Sequence, residues 1–121
     1  MGKFKDLQVW RDAIDFAKAI YLATQSPGFS KDFGLSSQIQ RSVVSISANI
    51  AEGDERGTAK EAVYFLNVAK ASSAEVITLL HIAYQVGYLN KPLFVELEDR
   101  AEKIRATLKN LIKYRAQRPP K

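Results

Sequence analysis

The stretch Leu35–Gly53, LSSQIQRSVVSISANIAEG, decides how this chain folds. Leu35, Ile39, Val43, Ile46 and Ile50 recur every three or four residues, the period that aligns side chains on one face of an α-helix. A second set, Gln38, Arg41, Ser45, Asn49 and Glu52, keeps the same spacing and makes a polar seam beside the apolar stripe. A helix that buries the stripe must also find partners for the seam, because a charge stranded inside a bundle costs roughly 3 kcal/mol or more. Downstream, Val68–Val76 (VAKASSAEV) echoes the pattern, and its Ser72 and Glu75 are the expected partners of the seam.

Working outward, Leu7–Thr24 carries Leu7, Trp10, Ile14, Ala17 and Tyr21 as an apolar stripe, with Arg11, Asp12, Asp15 and Lys18 between them: an amphipathic helix. Ser26-Pro27-Gly28 stops it, since proline disfavours helical geometry in the residue before it and glycine supplies a flexible corner. Ser30 is the expected cap of the next helix, which begins between Lys31 and Leu35 and ends at Gly53, a residue suited to the left-handed geometry that closes many helices. Gly53–Gly57 then forms a short charged loop. Thr58 and Glu61 make a T-x-x-E capping box that opens a third helix.

That third helix carries two apolar stripes, Ala62, Phe65, Ala69, Ser72, Val76, Leu79 and Ala83, and Leu66, Ile77, Leu80 and Tyr84. Two stripes imply two neighbours, and the second is expected to be another subunit. Gly87 ends the helix. Asn90 caps a fourth, with Pro92 in its first turn and Leu93, Leu97, Ala101, Ile104, Leu108 and Leu111 as its core face. The helices span about 7–24, 33–53, 58–86 and 91–115, with 116–121 as a flexible tail. No strand pattern interrupts them, so the expected fold is all-α: one domain, residues 1–121, built as an antiparallel up-and-down four-helix bundle.

Composition narrows the chemistry. At 121 residues the chain can hold one core without staples. The absence of cysteine rules out disulfides and thiolate metal sites, and a single histidine, His81, excludes the usual zinc clusters, so no metal or cofactor is expected. His81 lies among Ile77, Leu80 and Tyr84 in helical register and is expected to be packed and hydrogen-bonded rather than a ligand. The start, MGKFKDLQVW, has no apolar signal core, and no run approaches the ~18 apolar residues of a span, so a cytoplasmic location away from membranes is expected. Glu52 or Glu75 as a general base would need a cleft and a perturbed pKa. No nucleophile–base set, metal cluster or phosphate-cradling glycine loop can be assembled, and the chain is expected not to be an enzyme. A net charge of +5 favours anionic partners.

The run Asn49-Ile50-Ala51-Glu52-Gly53, preceded by Gln38, Arg41 and Ser45 and followed by Ala69, Ser72 and Glu75, resembles the signature of a bacterial four-helix-bundle family, the 23S rRNA intervening-sequence proteins. The likeness extends from Leu7-Gln8-Val9-Trp10 to the fourth helix. Members resemble the accessory variability protein of diversity-generating retroelements, and that resemblance implies a ring-like homopentamer, a basic surface and nucleic-acid binding. Two positions depart from the pattern. Ala71 stands where the family often has glycine, and Asp54-Glu55 where an aromatic or basic residue is more usual, which argues against this loop gripping phosphate.

Two sets of residues therefore merit attention. Gln38, Arg41, Ser45, Asn49, Glu52, Ser72 and Glu75 are expected to form a structural polar network that sets helix register and subunit geometry, as single polar residues do in coiled coils. From Lys103 to Lys121 there are seven cations and no acid, and Arg105, Lys109 and Lys113 fall at i, i+4 and i+8. Cations also complement the dipole at a helix C-terminus. Arg105, Lys109, Lys113, Arg115 and Arg118 are the expected RNA or DNA contacts, with Tyr114 placed to stack on a base. The expected partners are further copies of the chain and RNA or DNA; the alternative is an adaptor for another protein, such as a reverse transcriptase.

Overall fold

The apolar period of Leu35–Ile50 becomes the spine of the fold. In the computed structural model, which describes residues 4–117, Ile39, Val43, Ile46 and Ile50 are wholly buried on α3 (Phe33–Glu55). Before it come a 3-10 turn (Phe4–Asp6), α1 (Gln8–Ala23) and α2 (Pro27–Lys31); after it come α4 (Ala59–Gln85) and α5 (Lys91–Gln117). Among the described residues there is no strand. α1 packs on α3, α3 on α4, α4 on α5, and α5 closes back on α1, so the four long helices surround one core. Cross-links between α3 and α4 run in opposite senses along the two chains, Gln38 to Glu75 and Ser45 to Ser72, as antiparallel neighbours require.

Both apolar stripes of α4 lie within this chain. Ala62, Leu66, Ala69, Val76, Leu80 and Ala83 are buried, and Ile77 and Tyr84 pack against the same core. The second neighbour that the sequence assigned to another subunit is α5. α4 is the one described helix long and apolar enough by length and composition to cross a membrane, with 39% of its most apolar window buried inside the bundle.

α1 is turned differently from its sequence reading. Val9, Ala13, Phe16, Ile20 and Ala23 face the core; of the expected stripe, Leu7, Trp10 and Ala17 are part-buried against it, whereas Ile14 and Tyr21 are 42% and 41% exposed. The expected stripe lies about one residue, roughly 100°, round the helix, on the edge beside α3. Both stripes have the helical period, and periodicity alone does not choose between them. The choice is made by Phe16, which lies inside with the Arg100 guanidinium of α5 5.7 Å from its ring centre.

The helix ends show how the loops are built. Pro27 opens a short helix instead of only closing α1: Ser26 is extended, and Pro27 takes the first helical position, where its missing N–H costs nothing. Ser30 therefore lies inside α2, its hydroxyl donating to the Pro27 carbonyl, and Asp32 caps α3 by accepting the Leu35 N–H at 3.1 Å. Gly53 does not end α3, which continues to Glu55. Its role is close approach, since a Cβ there would meet the Ala62 carbonyl oxygen at 3.1 Å and Leu66 Cγ at 3.2 Å. Left-handed geometry occurs instead at Gly87 (φ 88°), where Gly87 N–H reaches the Tyr84 carbonyl and Tyr88 N–H the Ala83 carbonyl. Thr58 accepts the Glu61 N–H at 3.2 Å, and Asn90 the Leu93 N–H at 2.9 Å. Ala116 and Gln117, expected in a flexible tail, continue α5; residues 118–121 lie outside the described residues.

Candidate functional site

The polar seam lies at the lip of the α3–α4 groove. Gln38 Nε2 donates to Glu75 Oε2 at 3.2 Å, and both residues are exposed. Two turns further along α3, the hydroxyls of Ser45 and buried Ser72 meet at 2.8 Å. Asn49 donates to the Ser45 carbonyl at 2.8 Å and to its hydroxyl at 3.0 Å. Of these, Gln38–Glu75 and Ser45–Ser72 join α3 to α4; the serine pair uses short side chains that lose little rotamer freedom and contributes about 1 kcal/mol. Arg41 and Glu52 stand apart. Arg41 is exposed and donates to Ser37 Oγ within its own helix, and Glu52 pairs with Arg56 one turn later. Arg56 in turn lies over the Phe65 ring of α4, 4.6 Å from its centre. Glu52 and Glu75 are both exposed, each held by a polar neighbour, Arg56 and Gln38.

The basic stretch separates into two parts. Arg105, Lys109 and Lys113 are exposed along α5, with Arg105 3.8 Å from the Glu102 carboxylate. Arg115 turns inward: its Nη1 lies 3.3 Å from Asp54 Oδ1, and the two side chains are 14% and 15% exposed. It ties the end of α5 to the end of α3, and the acidic residue of the expected loop is its partner. Arg118 lies outside the described residues. Tyr114 is 60% exposed.

Three further arrangements escaped the sequence reading, since each joins residues far apart in the chain. His81 is exposed; it bonds to Glu98 of α5 and meets the edge of Phe94, which stacks on Tyr84 at 4.5 Å. Tyr88 donates to Asp32 Oδ2 at 2.9 Å and stacks on Phe29 at 5.4 Å, so the carboxylate that caps α3 also anchors the α4–α5 loop. That hydrogen bond, with burial and the Asp32 charge, raises the Tyr88 pKa above the ordinary 10.0. Third, the turned α1 leaves an open hollow of about 350 Å³ against α3, walled by Tyr21, Gln25, Phe33 and Gln40. Among the described residues no group of His, Cys, Asp and Glu has the arrangement of a metal site.

With the bundle and its seam in place, the comparison with known families is decisive: the model of the 23S rRNA-intervening sequence protein family matches residues 5–110. This chain belongs to that family. The match takes in the whole polar seam together with Arg105 and Lys109, and stops short of Lys113 and Arg115. Among solved structures, the chain is similar to a protein of unknown function from the S23 ribosomal protein family of Bacteroides thetaiotaomicron VPI-5482, with 26% identity and a TM-score of 0.80 over 87% of this chain and 98% of that one. No curated protein matches. The 23S rRNA-intervening sequence family match and the similar solved structure agree with the helical bundle described above.

Proposed function

We propose that this family member is a non-enzymatic, self-assembling protein, a homopentamer, that holds RNA or DNA through phosphate contacts along α5. The observation that carries the reading is the row of exposed cations Arg105, Lys109 and Lys113, on a stretch with no acidic residue after Glu102. Each phosphate a lysine neutralises releases counterions, so a patch too small to bind tightly alone gains affinity when an assembly repeats it. Lysines on an exposed helix are point charges; they position a backbone and do not read base edges. The exposed ring of Tyr114 adds a face for stacking.

The experiment is fluorescence anisotropy with labelled single- and double-stranded RNA and DNA at two salt concentrations. Binding is expected at low salt, weakening as salt rises, and lost in Lys109→Glu/Lys113→Glu. Unchanged affinity in that variant overturns the reading. A second reading, an adaptor for another protein such as a reverse transcriptase, draws on the exposed apolar residues Ile14, Tyr21, Phe33 and Val44. A stoichiometric protein partner that survives nuclease treatment would favour it.

A further inference from the structure

The turned α1 leaves apolar surface without a partner inside the chain. Phe33 is 79% exposed, and it shares the α1–α3 hollow with Tyr21; Ile14 lies two turns along α1 from Tyr21 on the same side. On the outer side of α3, Phe33, Ser37, Val44 and Ala48 follow at i, i+4, i+11 and i+15, with Gln40 and Arg41 in the turn between Ser37 and Val44. Cations flank this strip: Arg11 and Lys18 on α1, Arg41 on α3, all exposed. α3 has no acidic residue between Asp32 and Glu52, and Asp12 and Asp15 of α1 lie a quarter turn or more from Ile14.

The complementary surface exists on the same molecule. At the start of α5, Val95, Asp99 and Glu102 are exposed at i, i+4 and i+7, an apolar side chain followed by two acids. Among the described residues, the Glu102 carboxylate meets Arg105 at a long 3.8 Å. α5 lies diagonally across the bundle from α3, so the two surfaces face away from each other and cannot meet within one chain.

We infer that the α1–α3 strip is the seat of a second copy of this chain, which docks its Val95–Asp99–Glu102 face there. The inference rests on the self-assembly reading above and names its interface. Because the two surfaces differ, the contact is head-to-tail, and repetition closes a ring if the rotation per subunit allows it.

The experiment is the mass of the full chain by size-exclusion chromatography with light scattering, with helicity followed by circular dichroism. Phe33→Asp/Val44→Asp replaces two water-facing side chains and is expected to keep helicity while lowering the mass towards the 13.5 kDa of one chain. Lys18→Glu/Arg41→Glu is expected to dissociate the assembly, as is Asp99→Lys/Glu102→Lys; the chain carrying all four changes is expected to regain the wild-type mass. A wild-type oligomer whose mass none of these variants moves overturns the inference and leaves the self-assembly reading standing, with the strip then assigned to a different protein. A wild type that is a single chain at every concentration overturns both.

Discussion

The Arg115 guanidinium lies 3.3 Å from the Asp54 carboxylate, with both side chains largely withdrawn from water, and this one pair pins the last turn of α5 to the last turn of α3. Removing either partner leaves the other charge poorly solvated. Arg115→Met and Asp54→Asn are each expected to lower stability to urea by about 1–3 kcal/mol, and the double variant to cost less than their sum. Additive losses would show that the pair is not coupled. For the same reason Arg115 is unsuitable for testing nucleic-acid binding, because its loss acts through the fold.

Gly53 and Gly87 are required for different reasons, and alanine separates them. At Gly53 the new methyl meets the Ala62 carbonyl oxygen and Leu66. The crowding costs about 1–3 kcal/mol, against a gain of about 1 kcal/mol in helix propensity, so a net loss is expected. At Gly87 there is space, but the positive φ strains any side chain; a loss of about 1 kcal/mol is expected. Gly57→Ala, with open space around it, is the control. Gly53→Ala more stable than wild type in thermal melts would contradict the close-approach role.

The turn of α1 is open to a direct comparison of two apolar residues. Phe16→Ala is expected to cost about 3–5 kcal/mol, the range for emptying a wholly buried aromatic site. Ile14→Ala should cost under about 1 kcal/mol, since that side chain is already 42% exposed. Equal losses would mean that α1 presents the other stripe to the core.

Tyr88 makes stability depend on alkaline pH. Its hydrogen bond to Asp32 raises its pKa in the folded state, so the folded protein holds that proton more tightly than the unfolded chain. The contribution is full below the ordinary value of 10.0 and is lost as pH rises past it through the folded value. Urea midpoints should fall more steeply above pH 10 in wild type than in Tyr88→Phe. Parallel curves for the two proteins would remove Tyr88 as the cause.

The coupling across the α3–α4 seam is measurable at Ser45 and Ser72. Each serine changed to alanine is expected to cost about 0.5–1.5 kcal/mol, and the double variant less than their sum, because the second change removes a partner already lost.

How much of this was legible in the chain depends on how local the cause is. The period of Ile39–Ile50, the Thr58 and Asn90 caps and the break at Gly87 are written within a few residues, and each lies in the structure where local chemistry puts it. The seam was legible in part. Ser45–Ser72 and Gln38–Glu75 join the residues expected to meet, while Arg41 bonds to Ser37 within α3 and Glu52 to Arg56 just past its end, each a partner one turn away along the chain.

The sequence by itself determined the helices, their number among the long elements and the family to which they belong, since helical period and capping are short-range properties. Only the tertiary structure decided which of two equally periodic stripes on α1 faces inward, that α5 and not another subunit covers the second stripe of α4, and that Arg115 is held by Asp54 while Lys109 and Lys113 face water. Those outcomes depend on how four helices rotate to fill one core, and the residues that settle them lie as far apart as Asp54 and Arg115, beyond the reach of any local pattern.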